Sequence, residues 1–434
     1  MKHIFVFLIM AFLCFSLYAT GQSDPNDGPE PIEFSVLYSG IGTYDKGTAT
    51  EWTNVGWAFE QVKKDFPEAV MRGMQVDLSD GSQLTMTTFL AAGKAPNVYM
   101  DTLVRSSTYI TPDFALPLDE YVRDLAKYPE DTLAPYRRNG DLLALPQPGS
   151  AQGMAINLDM MKDIGYEVPD NWTIADFLEM AELVKQKYNG EKWATGMFAG
   201  NQSGDYLINN WFAAFGCRYY DPGDYSHTVI RDTGGAQVHA FFQTLMKNGY
   251  IRQDAATQVD DDYVLDWARG NLAATAFFQS WTKHYFKVLI DNGEIKEPFE
   301  YKFVPFPRAE GVNRVPTYYM NGAIVVHKSG SAADPIAARF AEYLNGAKIQ
   351  TAEVLLNSVL PTRTDVTAKP GDPWTAQIAD IVAENGIFDV GLTNEKFGAT
   401  RPQHYSILQK VLNLKNTPQE SIAEYEKALN EALK

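Results

Sequence analysis

The chain has 434 residues, 45% of them hydrophobic and 21% charged, and its formal net charge is −17. That length exceeds what one ordinary core supports, so two domains are expected, and the composition is that of a soluble globular protein. The excess of 54 acidic over 37 basic residues repels nucleic acid and anionic lipid, which argues against either as a partner.

Met1–Gly21 reads as a secretory signal: Lys2 supplies the positive start, Ile4–Phe15 an apolar run too short to span a bilayer, and Ala19-Thr20-Gly21 small residues for cleavage. Cys14 is the one candidate for acylation, but it follows the bulky Leu13 inside the apolar run, so a lipid anchor is not expected. Cleavage would leave Cys217 alone, with no intramolecular disulfide, and its place in Ala-Ala-Phe-Gly-Cys-Arg suggests a small buried residue. Gln22–Pro31 is a tether rich in Pro, Asp and Gly.

The mature pattern begins with a strand at Ile32–Tyr38. A helix over Trp52–Phe66, a strand at Met74–Leu78, a helix at Leu84–Ala92 and a third strand at Val98–Met100 follow. This alternation of strand and helix predicts a parallel α/β sheet. Asn139-Gly140 marks a turn, followed by an apolar run at Leu142–Leu145 that Pro146 ends, and a second apolar segment at Met154–Asn157. Leu158–Ile164 reads as a helix capped by Gly165. A further helix starts at Thr173, an N-cap candidate with Asp176 in the first turn, and carries Ile174, Phe177, Leu178, Ala181 and Val184 at helical spacing. Later come helices at Ala236–Gly249 and Asp262–Gly270, a strand at Leu272–Phe278 with an aromatic loop Gln279-Ser280-Trp281, strands at Phe303–Pro307 and Tyr318–Val326, and a helix at Ile336–Leu344. The last helix has a capping box, with Thr417 as N-cap, Pro418 at N1 and Glu420 at N3.

The central stretch, Gly-Asp-Leu-Leu-Ala-Leu-Pro through Ile-Asn-Leu-Asp-Met-Met, Gly-Tyr and Pro-Asp-Asn-Trp-Thr to Phe177, resembles the signature of the family 1 extracellular solute-binding proteins. These are the maltose-binding-protein-like receptors of ABC importers. Ala155-Ile156-Asn157 stands where the family has a tyrosine-rich version, and Asn-Trp-Thr where it has Lys-Thr-Trp. Other stretches match in the same order: Gly93-Lys94-Ala95-Pro96-Asn97-Val98, Leu116-Pro117-Leu118-Asp119-Glu120-Tyr121 and Leu360-Pro361-Thr362-Arg363-Thr364-Asp365. The resemblance implies a two-lobed periplasmic-binding-protein fold, each lobe a mainly parallel β-sheet flanked by helices and joined by hinge crossovers. It implies an N-terminal lobe of 22–150 plus 322–385 and a C-terminal lobe of 151–321 plus 386–434.

For function, the chain has no metalloprotease, nucleophile-elbow, phosphate-loop or dinucleotide motif, and its histidines are scattered singly. No catalytic residue, metal site or cofactor is expected. Asp260-Asp261-Asp262 lacks calcium-loop spacing and reads as a solvated helix start. The residue type in excess is aromatic, with 23 Tyr, 24 Phe and 8 Trp. Aromatic faces stack on sugar rings, and polar neighbours match the hydroxyl rim. Trp281 is the leading ligand candidate, placed after a strand where the resembled family carries a sugar platform. Tyr206 and Trp211 precede Phe215-Gly216, where family members also present aromatics. Tyr38 closes the first strand; Asp101 and Arg105 follow the third; Gln147 precedes the first crossover and Tyr319 and Asn321 sit at the second. Arg363 matches the family but could brace its loop, and packing is expected of Trp57. The expected function is a monomeric periplasmic receptor that closes on a carbohydrate and delivers it to the membrane permease of an ABC importer. A receptor of the same fold for a polyamine or organic anion, and a secreted carbohydrate-active enzyme, stay open as alternatives.

Overall fold

The computed structural model describes residues 30–39, 54–76, 81–369, 373–394 and 396–434. The expected secretory signal, nearly all of the tether, Trp52 and Leu78 lie outside the described residues. The first lobe opens with β1 (Ile32–Ser39), α1 (Asn54–Asp65), β2 (Ala69–Val76), α2 (Gly81–Ala91) and β3 (Val98–Thr102). β1 pairs in parallel with β2 on one side and β3 on the other, the arrangement that strand–helix–strand connections produce. β2 begins five residues earlier than its sequence suggests, because Ala69 already pairs with Ile32.

Two short helices, α3 (Leu103–Ser106) and α4 (Glu130–Leu133), lead to a hairpin of β4 (Arg137–Arg138) and β5 (Asp141–Leu142). Its turn is Asn139-Gly140, with φ of 54° and 96°, the pair that a tight hairpin favours. Next comes β6 (Ala144–Asn157), 14 residues long. The sequence reads as two segments broken at Pro146; the chain instead runs through as one strand. Pro146 and Pro148 cannot donate to a ladder, so the register shifts between Pro146 and Gly149 and the pairing resumes beyond.

β6 enters the second lobe, which is built from α5 (Leu158–Ile164), α6 (Ile174–Tyr188), α7 (Asp205–Ala214), α8 (Gly235–Lys247), α9 (Asp260–Ala268), β7 (Ala274–Phe278), α10 (Gln279–Asp291) and β8 (Tyr301–Val304). Gly165 caps α5 at φ 66°, and Thr173 forms a full capping box with Asp176 at the start of α6. β9 (Tyr319–Val326) returns the chain to α11 (Ala333–Leu344) and α12 (Ala347–Asn357); α13 (Pro373–Asn385), α14 (Phe397–Leu412) and α15 (Pro418–Ala432) complete it.

The result is a two-lobed α/β fold with a mixed sheet in the order β2-β1-β3-β9-β6-β7, with β8 also on β6. Parallel pairing is confined to β1, β2 and β3, whereas β9 and all partners of β6 pair antiparallel. The chain leaves by β6 and comes back by β9, so these neighbours must run in opposite directions. The first lobe is mainly parallel, as expected, and the antiparallel pairing of β7 and β8 with β6 departs from the mainly parallel sheet expected of the second.

Two apolar cores flank the crossing. One holds Phe34, Tyr99, Val325 and Phe340; the other holds Trp172, Phe177, Trp211, Trp267 and Phe277. Ile378 and Ile381 of α13 lie in the second core, so this helix packs with the second lobe although the sequence division assigns residues up to 385 to the first. Trp57 packs edge-on against Tyr343 in the first, and Cys217 is buried, its thiol pushed up to about 12 by desolvation.

Two imidazoles are sealed in the second core. His239 stacks on Tyr425 with ring centroids 6.0 Å apart, and His404 Nδ1 hydrogen-bonds the Tyr425 hydroxyl. Burial pushes both down from 6.5 to about 3, with Arg401 adding to the effect on His404. A depressed histidine stabilises fully above its unfolded value and loses that contribution as pH falls toward the folded one, by up to about 1.4 kcal/mol per pH unit for each ring. Thermal melts should therefore show the melting temperature dropping between pH 6.5 and 4. His239→Leu should flatten that slope; an unaltered slope would assign the acid response to other groups.

Candidate functional site

Topology fixes where the lobes face each other. β6 and β9 cross between them, so the C-terminal ends of β1 and β3 and the C-terminal end of β7 all point toward the crossing. Thr102 at the end of β3 pairs with Gly322, and Phe278 at the end of β7 pairs with Gln152. Loops and helix ends that follow these strands line the seam between the lobes.

At the crossing itself the chains come very close. A Cβ on Gly149 would lie 2.5 Å from the Tyr319 hydroxyl and 2.8 Å from Asn321 Cβ, and one on Gly322 would lie 2.6 Å from Gln147 Oε1. The structure thus brings Gln147, Tyr319 and Asn321 together, half-buried, over two glycines that leave room for them. Beneath them lies a sealed polar network. Asn210 Nδ2 donates to Gln152 Oε1, and Asn210 Oδ1 accepts from the Tyr318 backbone N–H at 2.7 Å and from Thr317 Oγ1 at 3.3 Å.

On the second lobe, Trp281 is half-buried. It sits in the first turn of α10, not in a loop as the sequence suggests, because the helix begins directly after β7 at Gln279. The Gln279 side chain accepts from Ser150 at 2.6 Å and donates to the Ser358 carbonyl at 2.8 Å, which fixes this helix end against the crossing. The indole packs on Phe278 at 4.7 Å. Phe278 in turn meets Tyr206 edge-on at 6.4 Å, and Tyr206 stacks on Tyr318 at 5.8 Å. Trp281 is the partly open end of this aromatic row.

Tyr206 also has the Arg401 guanidinium over its ring at 5.4 Å. Arg401, from α14, is 2% exposed and forms a bidentate pair with Asp205 at 2.7 and 3.3 Å. Burial pushes the Asp205 carboxyl up, while the charges of Arg401 and then Arg105 pull it back. The net direction for Asp205 is upward, with burial the largest cause, and the buried guanidinium is the partner that opposes it.

The first lobe answers with Asp101 and Arg105, each 5% exposed and paired at 3.5 Å. Asp101 also accepts from the Tyr99 hydroxyl at 2.9 Å and from the Thr102 backbone N–H at 2.7 Å. α3 faces the second lobe: Val104 belongs to the second core. Four buried hydroxyls in these two stretches have no hydrogen-bond partner, those of Thr102 and Ser106 on the first lobe and of Ser203 and Tyr206 on the second. Tyr38 is placed by its backbone alone, paired with Gln75 and Met100.

Two expected site residues lie elsewhere. Trp211 is fully enclosed, against Phe177 at 5.1 Å, Phe241 at 4.9 Å and Phe306 at 6.0 Å, and packing accounts for it. Its neighbours are spread over 130 residues of sequence, so the periodicity of α7 alone could not show that the ring faces inward. Arg363 braces the first lobe, bonded to Asp365 at 2.8 Å, to the Tyr128 hydroxyl at 3.4 Å and to Asp124 at 3.4 Å. The sequence reading missed Asp205 and Arg401, which are 196 residues apart. An arginine beside a proline in a C-terminal helix carries no local mark of such a partner. Among the described residues no group of three or more His, Cys, Asp or Glu is placed to hold a metal ion, and no helix is long and apolar enough to cross a membrane.

Residues 62–380, well over half of the chain, match the family model described as bacterial extracellular solute-binding protein. No protein with a curated description matches. The fold is similar to that of a solute-binding protein of an ABC transporter from Thermotoga lettingae bound with alpha-D-tagatose, with a TM-score of 0.74 at 17% identity over 94% of this chain and 100% of that one. It is similar to the GacH receptor of Streptomyces glaucescens, solved unliganded and with acarbose, with a TM-score of 0.73 at 16% identity over 93% and 99%. The ABC substrate-binding protein Lmo0181 of Listeria monocytogenes, in complex with cycloalternan, matches with a TM-score of 0.71 at 16% identity over 93% and 99%.

Removing the Trp211 side chain should leave a large void in the second core and cost about 3–5 kcal/mol of stability in denaturant unfolding. Trp281→Ala, at a half-buried helix end, should cost clearly less. Equal losses would mean that Trp281 is as much a core residue as Trp211.

Proposed function

The chain belongs to the bacterial extracellular solute-binding proteins, and from that premise we propose that it is a receptor that closes its two lobes around a neutral carbohydrate and passes it to the permease of an ABC importer. The observation that carries the reading is the chemistry of the seam. An aromatic row ends in the half-buried Trp281, buried hydroxyls without partners lie in the stretches of both lobes described above, and four of the buried charges there form the pairs Asp101–Arg105 and Asp205–Arg401. A sugar ring has apolar C–H faces for the indole and a rim of hydroxyls for the polar groups.

These pairs also separate this reading from a receptor for a polyamine or organic anion. A charged solute needs an opposing charge in the site, and in both Asp101–Arg105 and Asp205–Arg401 each charge already has a partner of opposite sign. Binding without turnover is the expected chemistry, as for the family. Gln147, Tyr319 and Asn321 would serve the hinge and the inner wall of the site, with Asp101, Arg105 and Tyr206 flanking the solute and Tyr38 at the mouth of the first lobe. Export through a signal at Met1–Gly21 and action as an unacylated monomer outside the cytoplasm complete the proposal. Domain closure would draw on contacts from both lobes.

A panel of mono- and oligosaccharides in a thermal-shift assay should contain at least one stabilising compound, since a ligand stabilises by RT ln(1 + [L]/Kd). Stabilisation by polyamines or organic anions alone would overturn the choice of a sugar. With the sugar in hand, small-angle scattering should show a smaller radius of gyration at saturation, and Trp281→Ala should weaken binding by about 2–4 kcal/mol while Trp281→Phe keeps much of it. A Trp281→Ala variant that binds normally would remove the indole from the site.

A further inference from the structure

The first turn of α10, which carries Trp281, starts without a capping side chain: Phe278 stands at the N-cap, and its ring offers no acceptor to the amides there. The turn is held from outside the helix instead. Gln279 Nε2 donates to the Ser358 carbonyl at 2.8 Å, and Lys283 Nζ donates to Ser358 Oγ at 2.8 Å. Gln279 and Lys283 are one helical turn apart and share a face of α10, whereas Trp281, midway between them, lies about 200° round the helix. The grip on Ser358 therefore fixes the rotation of this turn, and with it the direction of the indole on the other face.

Ser358 is well placed to hold the turn. It ends α12, is 1% exposed and has φ of 56°, in the left-handed region that serine seldom adopts. Thr375 of α13 also donates to its carbonyl, at 3.3 Å. α12 belongs to the first lobe: Ile349 lies in the first core, and the side-chain amides of Asn357 and of Asn54, at the start of α1, both donate to the Glu353 carboxylate. A buried serine at the end of a first-lobe helix is thus bonded by the turn of the second lobe that presents Trp281.

We propose that Ser358 is the positioning residue of Trp281: through Gln279 and Lys283 it sets the angle of the indole, and so how well the ring meets a sugar. This role rests on the reading that Trp281 stacks on the solute, whichever sugar that is. It also accounts for a serine in a left-handed conformation. Glycine would adopt that backbone without steric cost but would bring no hydroxyl to Lys283. Trp281 keeps Phe278 against it at 4.7 Å and Phe277 edge-on at 5.9 Å, so loss of the grip should turn the ring rather than release it.

Ser358→Gly separates positioning from a merely structural role, because stability and affinity should move apart. The substitution relieves the left-handed strain, so the thermal stability of the ligand-free protein should hold or rise. Affinity for the sugar that stabilises the unmodified protein in the thermal-shift panel should nevertheless fall, on the order of tenfold. Lys283→Met keeps the side-chain stem and should lower affinity similarly, and the double variant should lose no more than the weaker-binding single one, since both remove the same bond. In a Trp281→Ala background, Ser358→Gly should have no further effect. Ser358→Asn tolerates the left-handed region and offers Lys283 a side-chain carbonyl, so it should restore much of the affinity. Hydrogen exchange on the ligand-free protein reads the grip without a solute: residues 279–284 should exchange faster in Ser358→Gly and in Lys283→Met, with the last turn of α10 unaltered. Unchanged exchange there in both variants, or a Ser358→Gly loss of affinity that persists in full without the Trp281 indole, would overturn the positioning role. Normal binding by Trp281→Ala would instead remove the indole from the site, whereas weak binding by Trp281→Ala with normal binding by Ser358→Gly and Lys283→Met would remove Ser358 alone.

Discussion

One strand holds the molecule together. β6 spans 14 residues, pairs with β9 at its first half, and with β7 and β8 at its second. Both lobes are built onto it, so its path sets their relative placement. The break in its ladder at Pro146–Gly149 lies within the pairing with β9, which resumes at Gly149 and runs to Ala151 before β7 takes over at Gln152. A strand that lost two donors to proline in the middle of a sheet would be weak. Here β9 resumes the ladder at Gly149, and Gly149 also meets the Leu360 segment, through bonds of 3.0 and 2.7 Å in the two directions.

The polar network below that passage explains why the crossing is precise. Gln152, Asn210 and Thr317 are each at most 1% exposed, and buried amides tolerate few arrangements because an unmatched group there costs more than a matched one contributes. Asn210 on α7 thereby ties both crossing strands to the helix that begins with Asp205 and Tyr206. The crossing and the aromatic row share one hydrogen-bonded support. Under the proposed closure, a site on such a support would keep its geometry while the half that faces it from the first lobe changed distance.

The charges of the seam are better understood through orientation than through stability. A buried ion pair repays its desolvation only when its geometry is good, and replacing it by apolar residues is often neutral. Asp205 and Arg401 have the bidentate geometry that satisfies both partners, and they place a guanidinium against the Tyr206 ring. Their value lies in a fixed direction for an aromatic face.

Sequence alone determined the local pieces and, through an ordered set of short matches, the family and fold type. The Asn139-Gly140 turn, the Gly165 cap, the Thr173 and Thr417 caps and the amphipathic runs depend on neighbours within a few residues, so they are readable in one dimension. The positions of Trp281 directly after β7 and of Gln147, Tyr319 and Asn321 along β6 and β9 could be read because the strand ends follow the local pattern. Tertiary structure alone decided that Trp211 belongs to a core, that Arg363 braces the first lobe, that α13 packs with the second, and that Asp205 meets Arg401. Each of those depends on contacts between segments far apart in the chain: a periodic stripe shows that a helix has an apolar face but not what covers it, and a charge in sequence does not name its partner. The reading of two strands where β6 is one has the same origin. Proline ends a strand by its local chemistry, and only the antiparallel return of β9 supplies the pairing that carries the chain through.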